Sequence, residues 1–456
     1  MGDGLAGDWR APLLAGAERL AVPALHRDPA RWPGYVPKTA VTAWRLPSGP
    51  IAAVWDFSVY GGSFGEDDAT VLVEAAAIAR RERRPLLTLL RSGGTRLQEG
   101  MAALVGIPRA RLALLALAEA GLPHLSVSDA PTTGGSWISI GAAADLRVAV
   151  EGATVGFAGP RVVEAVTGTL PPLGSHTATS AATAGLVDAV LPGADVPAWI
   201  TRALRSLSAG DLLPLEAPPQ RRLGKRSGWE QVQHARAERP GGAQLLSQLI
   251  GDGIDLRAPG GDTTVAARVG RLAGRPVVGV ATAAHPGDRP TPNGYRLLTR
   301  AARLADRLGL PLVSLVDTPG AEPGTASEEG GIATTMGEAL DAVLLCRSPT
   351  VALVHGEGGS GGALAAAACD RLLVTDSSYF AALGPEGASA VLRKPPRECA
   401  DQLGITPADL LALGAADGVA EPADLAVVVA ELSGQDPQTR QELRRTRWSV
   451  PVHGRR

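Results

Sequence analysis

Short apolar runs alternate along the chain with longer stretches in which apolar residues recur at helical spacing. Runs that end close to glycine are typical of strands buried on both faces. The runs are IAAVWDF (51–57), PLLTLL (85–90), HLSVSD (124–129), PVVGVAT (276–282), PLVSLVD (311–317) and TVALVHG (350–356). The intervening Ala/Leu/Arg-rich stretches predict helices over 69–84, 101–121, 294–308 and 328–346. This alternation predicts an α/β fold with mostly buried strands.

The second half of the chain repeats the pattern of the first. RPLLTLLRSGG (84–94) has the same form as LPLVSLVDTPG (310–320). Further pairs follow in register: Gly134-Gly135 with Gly361-Gly362, Asp145 with Asp370, and Gly159-Pro160 with Gly384-Pro385. Several pairs in one register indicate an internal duplication of a single α/β unit.

Length and composition narrow the class of protein. A chain of 456 residues predicts two or three domains. Its 44 Lys+Arg against 46 Asp+Glu give a net charge of −2, which disfavours nucleic acid as a partner.

The three cysteines (Cys346, Cys369, Cys399) show no CxxC spacing, so a disulfide framework and a cysteine zinc site are both disfavoured. With no signal-peptide pattern and no long apolar run, we expect a cytoplasmic protein without a membrane partner.

Each half contains two glycine-rich turns that follow predicted strands. The first turn contains SGG (92–94) in the first half and TPG (318–320) in the second half. The second turn contains the pair Gly134-Gly135 or the pair Gly361-Gly362. Glycine lets the backbone approach a ligand closely, and free N–H groups at such a turn can stabilise an oxyanion. The alternative is that these glycines only allow close packing of strand and helix. Their occurrence as two registered pairs favours oxyanion turns.

Other catalytic patterns are weaker. No GxGxxG turn follows a strand with an acid near twenty residues later, and no GxxxxGK[ST] loop occurs, so dinucleotide and P-loop sites are disfavoured. GGSGG (358–362) fits the nucleophile-elbow expression GxSxG, but its counterpart GGSWI repeats only the glycine pair. The seven histidines show no metal-ligand spacing, and Asp317 with Glu322, Glu328 and Glu329 is interpreted as a solvated acidic turn.

Longer motifs carry a family resemblance. In the first half they are DPARWPGY (28–35), WDFSVYGGSFG (55–65), SGGTRLQEG (92–100), AGLPHLSV (120–127), PTTGG (131–135), GFAGPRVVE (156–164) and GLVDAVLP (185–192). In the second half they are WEQVQHAR (229–236), GRPVVGV (274–280), the long run 294–324, GEGGSGGALA (356–365), GPEGASAVL (384–392) and 404–422. The first half resembles the beta subunit, and the second the alpha subunit, of the carboxyltransferase of bacterial acetyl-CoA carboxylase. The order is that of fused beta-alpha forms in this acyl-CoA carboxylase carboxyltransferase family.

The resemblance implies an α/β architecture of two tandem crotonase-like (ClpP/crotonase) units related by internal duplication. The implied domains are an N-terminal extension without the family's zinc ribbon (1–27), a beta-like half (28–215), a linker (216–228), an alpha-like half (229–430) and a basic C-terminal tail (431–456). The basic composition of RRTRWSVPVHGRR (444–456) predicts a solvated segment.

The resemblance also implies the reaction. The first half would bind an acyl-CoA, and the second would bind carboxybiotin held on a separate carrier protein, with the active site formed by the first half of one chain and the second half of another. Backbone N–H groups of Gly134 and Gly135 would hold the thioester enolate oxygen, and those of Gly362 and Ala363 the biotin ureido oxygen; Gly93, Gly94, Gly320 and Gly361 would shape the substrate-binding turns. Implied partners are a biotin carboxyl carrier protein, a biotin carboxylase and further copies of the chain, from a dimer up to a hexamer. No metal is expected.

The chain departs from the family pattern at several positions. Glu66, Asp67 and Asp68 stand where small or apolar residues are usual, Glu322 replaces a tyrosine, and Trp137 is expected to reshape the acyl pocket. Two alternatives therefore stay open. One is a decarboxylase of malonyl-type thioesters, which the same turns would support; the other is a scaffold subunit that retains only the fold.

Overall fold

The computed structural model describes residues 8–451. The chain divides into two compact units, Met1–Leu204 and Arg205–Arg456. Each unit contains one eight-stranded sheet. The prediction of an α/β fold with buried strands is confirmed, since the central strands of both sheets are almost entirely buried. The domain limits given above stay a prediction.

The sheet of the first unit has the order β1-β2-β3-β4-β5-β6-β8, with β7 paired to β5. The pairs of β2 are antiparallel and those from β3 to β8 are parallel. Its strands are β1 (Glu18–Leu20), β2 (Val41–Arg45), β3 (Ile51–Trp55), β4 (Leu86–Ser92), β5 (His124–Thr133), β6 (Leu146–Val150), β7 (Val155–Gly156) and β8 (Ala189–Leu191). Its helices are α1 (Ala11–Leu14), α2 (Glu66–Arg81), α3 (Met101–Glu119), α4 (Gly134–Ser136), which continues as a π-helix over Trp137–Gly141, α5 (Pro160–Thr167), α6 (Ala178–Thr183) and α7 (Val196–Ser206).

The sheet of the second unit has the order β16-β14-β13-β12-β11-β10-β9, with β15 paired to β13. Its strands are β9 (Ile254–Leu256), β10 (Ala266–Leu272), β11 (Arg275–Ala281), β12 (Leu312–Thr318), β13 (Thr350–Gly359), β14 (Arg371–Val374), β15 (Tyr379–Ala381) and β16 (Gly418–Val419). Its helices are α8 (Gly228–Ala235), α9 (Gly242–Leu249), α10 (Pro292–Leu308), α11 (Thr325–Glu329), α12 (Ile332–Leu344), α13 (Ser360–Ala367), α14 (Pro385–Leu392), α15 (Pro396–Gln402), α16 (Pro407–Ala412), α17 (Leu425–Ser433) and α18 (Pro437–Ser449).

Equivalent carboxylates hold equivalent strands in the two units. Asp145 accepts a hydrogen bond from the amide of His124 at the start of β5, and Asp370 accepts one from the amide of Thr350 at the start of β13, both at 2.8 Å. The Gly-Pro step that begins α5 at Pro160 likewise begins α14 at Pro385. The duplication seen in the sequence is therefore repeated in hydrogen bonding as well as in strand order.

Helix α3 is the one helix of residues 8–451 that is long and apolar enough, by length and composition, to cross a membrane. It packs along α2, where a Cβ on Gly106 would lie 2.9 Å from the Cβ of Ala69. This close approach requires glycine. The opposite side of α3 exposes apolar side chains, including Met101 and Leu112.

The C-terminal segment is a correction to the sequence analysis. Residues 437–449 form α18, and its Arg440 and Arg444 are buried. The Arg444 guanidinium donates to both carboxylate oxygens of Asp370, at 2.7 and 2.8 Å. The expectation of a solvated tail is therefore wrong up to residue 451. Residues 452–456 lie outside the described chain.

Candidate active site

A side-chain hydroxyl fixes the glycine turn at the end of β4. Ser92 Oγ accepts a hydrogen bond from the amide of Gly94 at 3.2 Å and lies 2.9 Å from Ser136 Oγ. Gly94 has φ +112°, a conformation that side chains disfavour, and Gly93 beside it is exposed. The turn is therefore held by local hydrogen bonds next to the start of α4.

The glycine pair after β5 lies against this turn. A Cβ on Gly134 would be 3.0 Å from the Cα of Gly94, so the structure brings the two predicted turns together. The amide of Gly134 donates to the carbonyl of Phe157 at 3.0 Å. Among residues 8–451, no acceptor pairs with the amide of Gly135. Of the two donors predicted here, Gly134 has its N–H occupied in this structure, whereas the N–H of Gly135 is open; the donor role of Gly135 stays a prediction.

Arg96, two residues after Gly94, is the centre of a buried ionic network beside the same turn. Its guanidinium donates to Asp68 Oδ2 at 2.6 Å and to Glu99 Oε1 at 3.1 Å, and all three side chains are buried. Asp68 also accepts from the amides of Ala40 and Gly65. These bonds tie the segment before β2, the start of α2 and the residues after Gly94 into one unit.

The acidic triplet at the start of α2 therefore has structural partners. Asp67 accepts from the amides of Leu25 and His26, both at 2.8 Å, and Glu66 pairs with Arg27. Carboxylates are also favourable in the first turn of a helix because of the helix dipole. The unusual acids are accounted for by packing of the N-terminal segment onto α2.

Trp137 does not occupy an open pocket. Its side chain is only 6% exposed and packs in a cluster with Ala149, Val155, Ala181 and Val187. The ring lies in the core beside the π-helix, and its expected effect on an acyl pocket stays a prediction.

The second unit repeats the turn at the end of β12. Thr318 Oγ1 accepts from the amide of Gly320 at 3.2 Å, and Gly320 has φ +129°. A Cβ on Gly362 would be 2.6 Å from the amide nitrogen of Ala321 and 2.7 Å from the hydroxyl oxygen of Tyr295. Only glycine fits at position 362. The predicted residues Gly320 and Gly362 are therefore neighbours.

Helix α13 begins at this contact. Gly361 and Gly362 are its second and third residues, where N–H groups have no acceptor within the helix. Ala363 follows and is fully buried, whereas Gly361 is exposed. A pocket of about 430 Å³ opens here, lined by glycine backbone together with Arg236, Arg289 and other residues. Pockets that bind small molecules have similar volumes.

The charges beside this pocket are arranged in pairs. Arg236 donates to Glu386 and, at 2.8 Å, to Glu357. The bond to Arg236 holds the pKa of Glu386 below its usual value, with burial opposing it. Arg289, by contrast, donates only to the carbonyl of Ala321, at 3.4 Å, and has no acidic partner among the described residues. The pocket thus presents one guanidinium that is not neutralised by a direct ion pair.

Asp317 is a second correction. Its carboxylate is buried and accepts from Arg239 at 2.7 and 2.8 Å and from the amide of Glu357 at 2.9 Å. It is not part of a solvated turn. Arg96 and Arg239 were not among the site residues predicted from the sequence, because Asp68 and Asp317 lie far from them along the chain. For Arg96, the available signals were the nearby Glu99 and the predicted glycine turn at 92–94.

Ser360 has the backbone conformation of a strand-to-helix elbow, with φ +62°. Within residues 8–451 its hydroxyl is not hydrogen-bonded to a histidine, so a nucleophile with its base is not assembled there. No group of three or more His, Cys, Asp or Glu in the same part of the chain is placed to hold a metal ion.

Two family descriptions match the chain. "Carboxyl transferase domain" matches residues 51–188, and "Acetyl co-enzyme A carboxylase carboxyltransferase-like" matches residues 219–433. The acetyl-coenzyme A carboxylase carboxyl transferase subunits beta/alpha of Saccharopolyspora erythraea is 37% identical over 394 residues, which cover 82% of this chain and 69% of that protein. This chain belongs to the acyl-CoA carboxylase carboxyltransferase family.

Further comparisons agree with this carboxyltransferase assignment. A Mycobacterium bovis protein named "Probable biotin-dependent acyl-coenzyme A carboxylase beta3 subunit" is 34% identical over 374 residues, covering 80% of this chain and 75% of that one. The transcarboxylase 12S structure aligns with TM-score 0.78 and 24% identity over 92% of this chain and 88% of that chain. The latter shows the fold, so the predicted pair of crotonase-like units is confirmed for this carboxyltransferase.

Proposed function

We propose that this carboxyltransferase transfers a carboxyl group from carboxybiotin, held on a carrier protein, to the α-carbon of acetyl-CoA or a related short acyl-CoA. The observation that carries the proposal is the repeated turn. Each unit places a glycine of positive φ against a second glycine: Gly94 lies against Gly134, and Gly320 lies against Gly362. The amide of Gly135, next to Gly134, and the amide of Gly362 have no acceptor in their own turn or helix. Two such turns suit a reaction in which two different oxygens carry charge.

On the acyl side, the amide of Gly135 would donate to the thioester oxygen as negative charge develops there. The donor is fixed before the ligand arrives, since Ser92 and the Arg96 network hold the neighbouring backbone. A donor that needs no rearrangement stabilises charge at little reorganisation cost. No side-chain base is assigned in this unit.

On the biotin side, the pocket at the start of α13 fits the bicyclic ring of biotin. Its volume is adequate, its walls combine glycine backbone with apolar side chains such as Met336 and Leu383, and the amides of Gly361 and Gly362 have no acceptor within the helix. These amides and that of Ala363 would hold the ureido oxygen. Carboxybiotin, when bound, supplies the carboxyl group.

The relatives support the proposed partners. The M. bovis relative is named as biotin-dependent, and the transcarboxylase structure is titled as a hexamer with methylmalonyl-coenzyme A bound. We propose that this chain likewise works in the cytoplasm as an oligomer of at least two copies. It would receive its carboxyl group through a separate carrier protein and biotin carboxylase.

The test supplies the purified chain with a carboxybiotin-loaded carrier protein and a series of acyl-CoA thioesters. We expect formation of a malonyl-type thioester. Gly135→Ala and Gly362→Ala each keep their N–H but add a Cβ that would lie 2.3 Å from Ile107 Cδ1 or 2.6 Å from the amide nitrogen of Ala321. Each should lower kcat about 10²–10³-fold, because the added atom displaces the donor from the position of the oxyanion. Gly159→Ala and Gly337→Ala are matched controls, because a Cβ at either position meets no atom within 4 Å.

The outcomes separate the alternatives. Consumption of malonyl-CoA without any carboxylation would instead support the decarboxylase. Full activity of a reconstituted carboxylase with both glycine variants folded would support the scaffold, and would overturn the assignment of the two turns.

A further inference from the structure

The space beside Gly135 is bounded by two side chains. A methyl group built on Gly135 would lie 2.3 Å from Cδ1 of Ile107 and 3.1 Å from Oγ1 of Thr95. Since a Cα–Cβ bond is about 1.5 Å long, Ile107 Cδ1 lies within about 4 Å of the Gly135 backbone. Both side chains are half-buried and so reach the surface near this glycine.

Ile107 is held firmly in this position. Its neighbour Gly106 lies against Ala69 with no room for a side chain, which presses this part of α3 onto α2. Ile107 itself packs on the apolar core cluster that contains Leu72 and Ala76. The terminal methyl group therefore cannot retreat without disturbing the packing of the two helices.

Thr95 closes the space from the other side. It forms a bridge with Phe64 and precedes Arg96, whose side chain is fully buried. Its hydroxyl oxygen lies 3.1 Å from the position of a Cβ on Gly135, and its side chain is half-buried, so a polar group of a ligand can reach it. An apolar methyl and a hydroxyl thus both lie close to Gly135.

We propose that Ile107, beside Gly135, limits the length of the acyl chain that this carboxyltransferase accepts. The inference rests on the proposed role of Gly135 as donor to the thioester oxygen. An oxygen bonded to that amide lies about 2.7–3.2 Å from its nitrogen, which brings the acyl α-carbon into the space bounded by Ile107. An acetyl group extends least toward Ile107, whereas each added carbon would compete with the Ile107 side chain.

The variant Ile107→Val removes only Cδ1, the atom nearest Gly135, and Ile107→Ala removes more. Dissociation constants for acetyl-, propionyl- and butyryl-CoA are measured by calorimetry with the whole chain, without carrier protein. The wild type should favour acetyl-CoA. Ile107→Ala should raise the affinity for propionyl-CoA relative to acetyl-CoA about tenfold, the scale of one methylene in an apolar pocket, and Ile107→Val by less.

Ile78→Val is the matched control, because it removes the same methyl group from the same core cluster on α2. It should leave the propionyl-to-acetyl ratio unchanged. An unchanged ratio in both Ile107 variants, or an equal shift in Ile78→Val, would overturn the inference. Failure of the wild type to bind any acyl-CoA would overturn the proposed function instead, so the two failures are distinguishable.

Discussion

At the scale of single residues, Arg96 is a buried and heavily hydrogen-bonded side chain close to the Gly94 turn. Besides its two carboxylate partners, it donates to the carbonyls of Lys38 and Ser63, both at 2.6 Å. A guanidinium with its donors satisfied can be buried, whereas a carboxylate left without it cannot. The stability of this region therefore depends on the charge as well as on the shape of Arg96.

Replacing Arg96 by methionine should lower the free energy of unfolding by about 3–5 kcal/mol, because Asp68 and Glu99 would remain buried without their cation. Urea denaturation at neutral pH measures the change. The control is Arg27→Met, which removes an exposed partner of Glu66 and should cost less than about 1 kcal/mol. Equal losses in the two variants would show that burial of Arg96 contributes nothing.

The glycine turns could be predicted from the sequence because each is a local motif that occurs twice. The role of Asp68 could not, because its partners are the amides of Ala40 and Val41 and the side chain of Arg96, which come from separate segments. The hydrogen bond from the Gly134 amide to the carbonyl of Phe157 could not be predicted either, because Phe157 follows β7, which pairs with β5 only in the folded sheet.

At the scale of secondary-structure elements, periodicity predicted where helices form but not where they break. The helix predicted over 328–346 is divided into α11 and α12, and Gly331 between them has φ +79°. Helix α18 was not predicted from the sequence. A solvated tail and a helix whose arginines pair with a distant carboxylate have the same basic composition, so composition does not distinguish them. Its partner, Asp370, is the carboxylate that also holds the start of β13.

Arg444→Met should therefore destabilise the fold by about 3–5 kcal/mol, since it leaves Asp370 buried with its main cation removed. Thermal or urea unfolding detects this loss. Arg445→Met changes the exposed neighbour on the same helix and should be nearly neutral. A neutral Arg444 variant would mean that α18 is not bound through this pair.

At the scale of the whole molecule, equivalent helices of the two units expose apolar side chains. None of the residues of α5 is buried, and Val166 on it is 80% exposed. Val391 and Leu392 are exposed on the equivalent helix α14. Large apolar patches at the surface of a soluble chain mark surfaces that associate.

The purified protein should therefore be oligomeric in sedimentation or light-scattering measurements, and Val166→Glu or Val391→Glu should shift it toward smaller species. Leu213→Glu, which changes an exposed leucine outside both helices, is the control and should not. A wild type that stays monomeric at every concentration, or a control that dissociates it equally, would contradict an interface at α5 and α14.

The amides of Gly94 and Gly320 donate hydrogen bonds to the hydroxyl oxygens of Ser92 and Thr318. These two hydrogen bonds have a consequence for repeated turnover. Both turns acquire their shape from a side chain two residues away, and the folded chain already holds it. The conformational entropy of these segments is lost once, when the protein folds, and not again each time a thioester or a carrier-bound ring arrives.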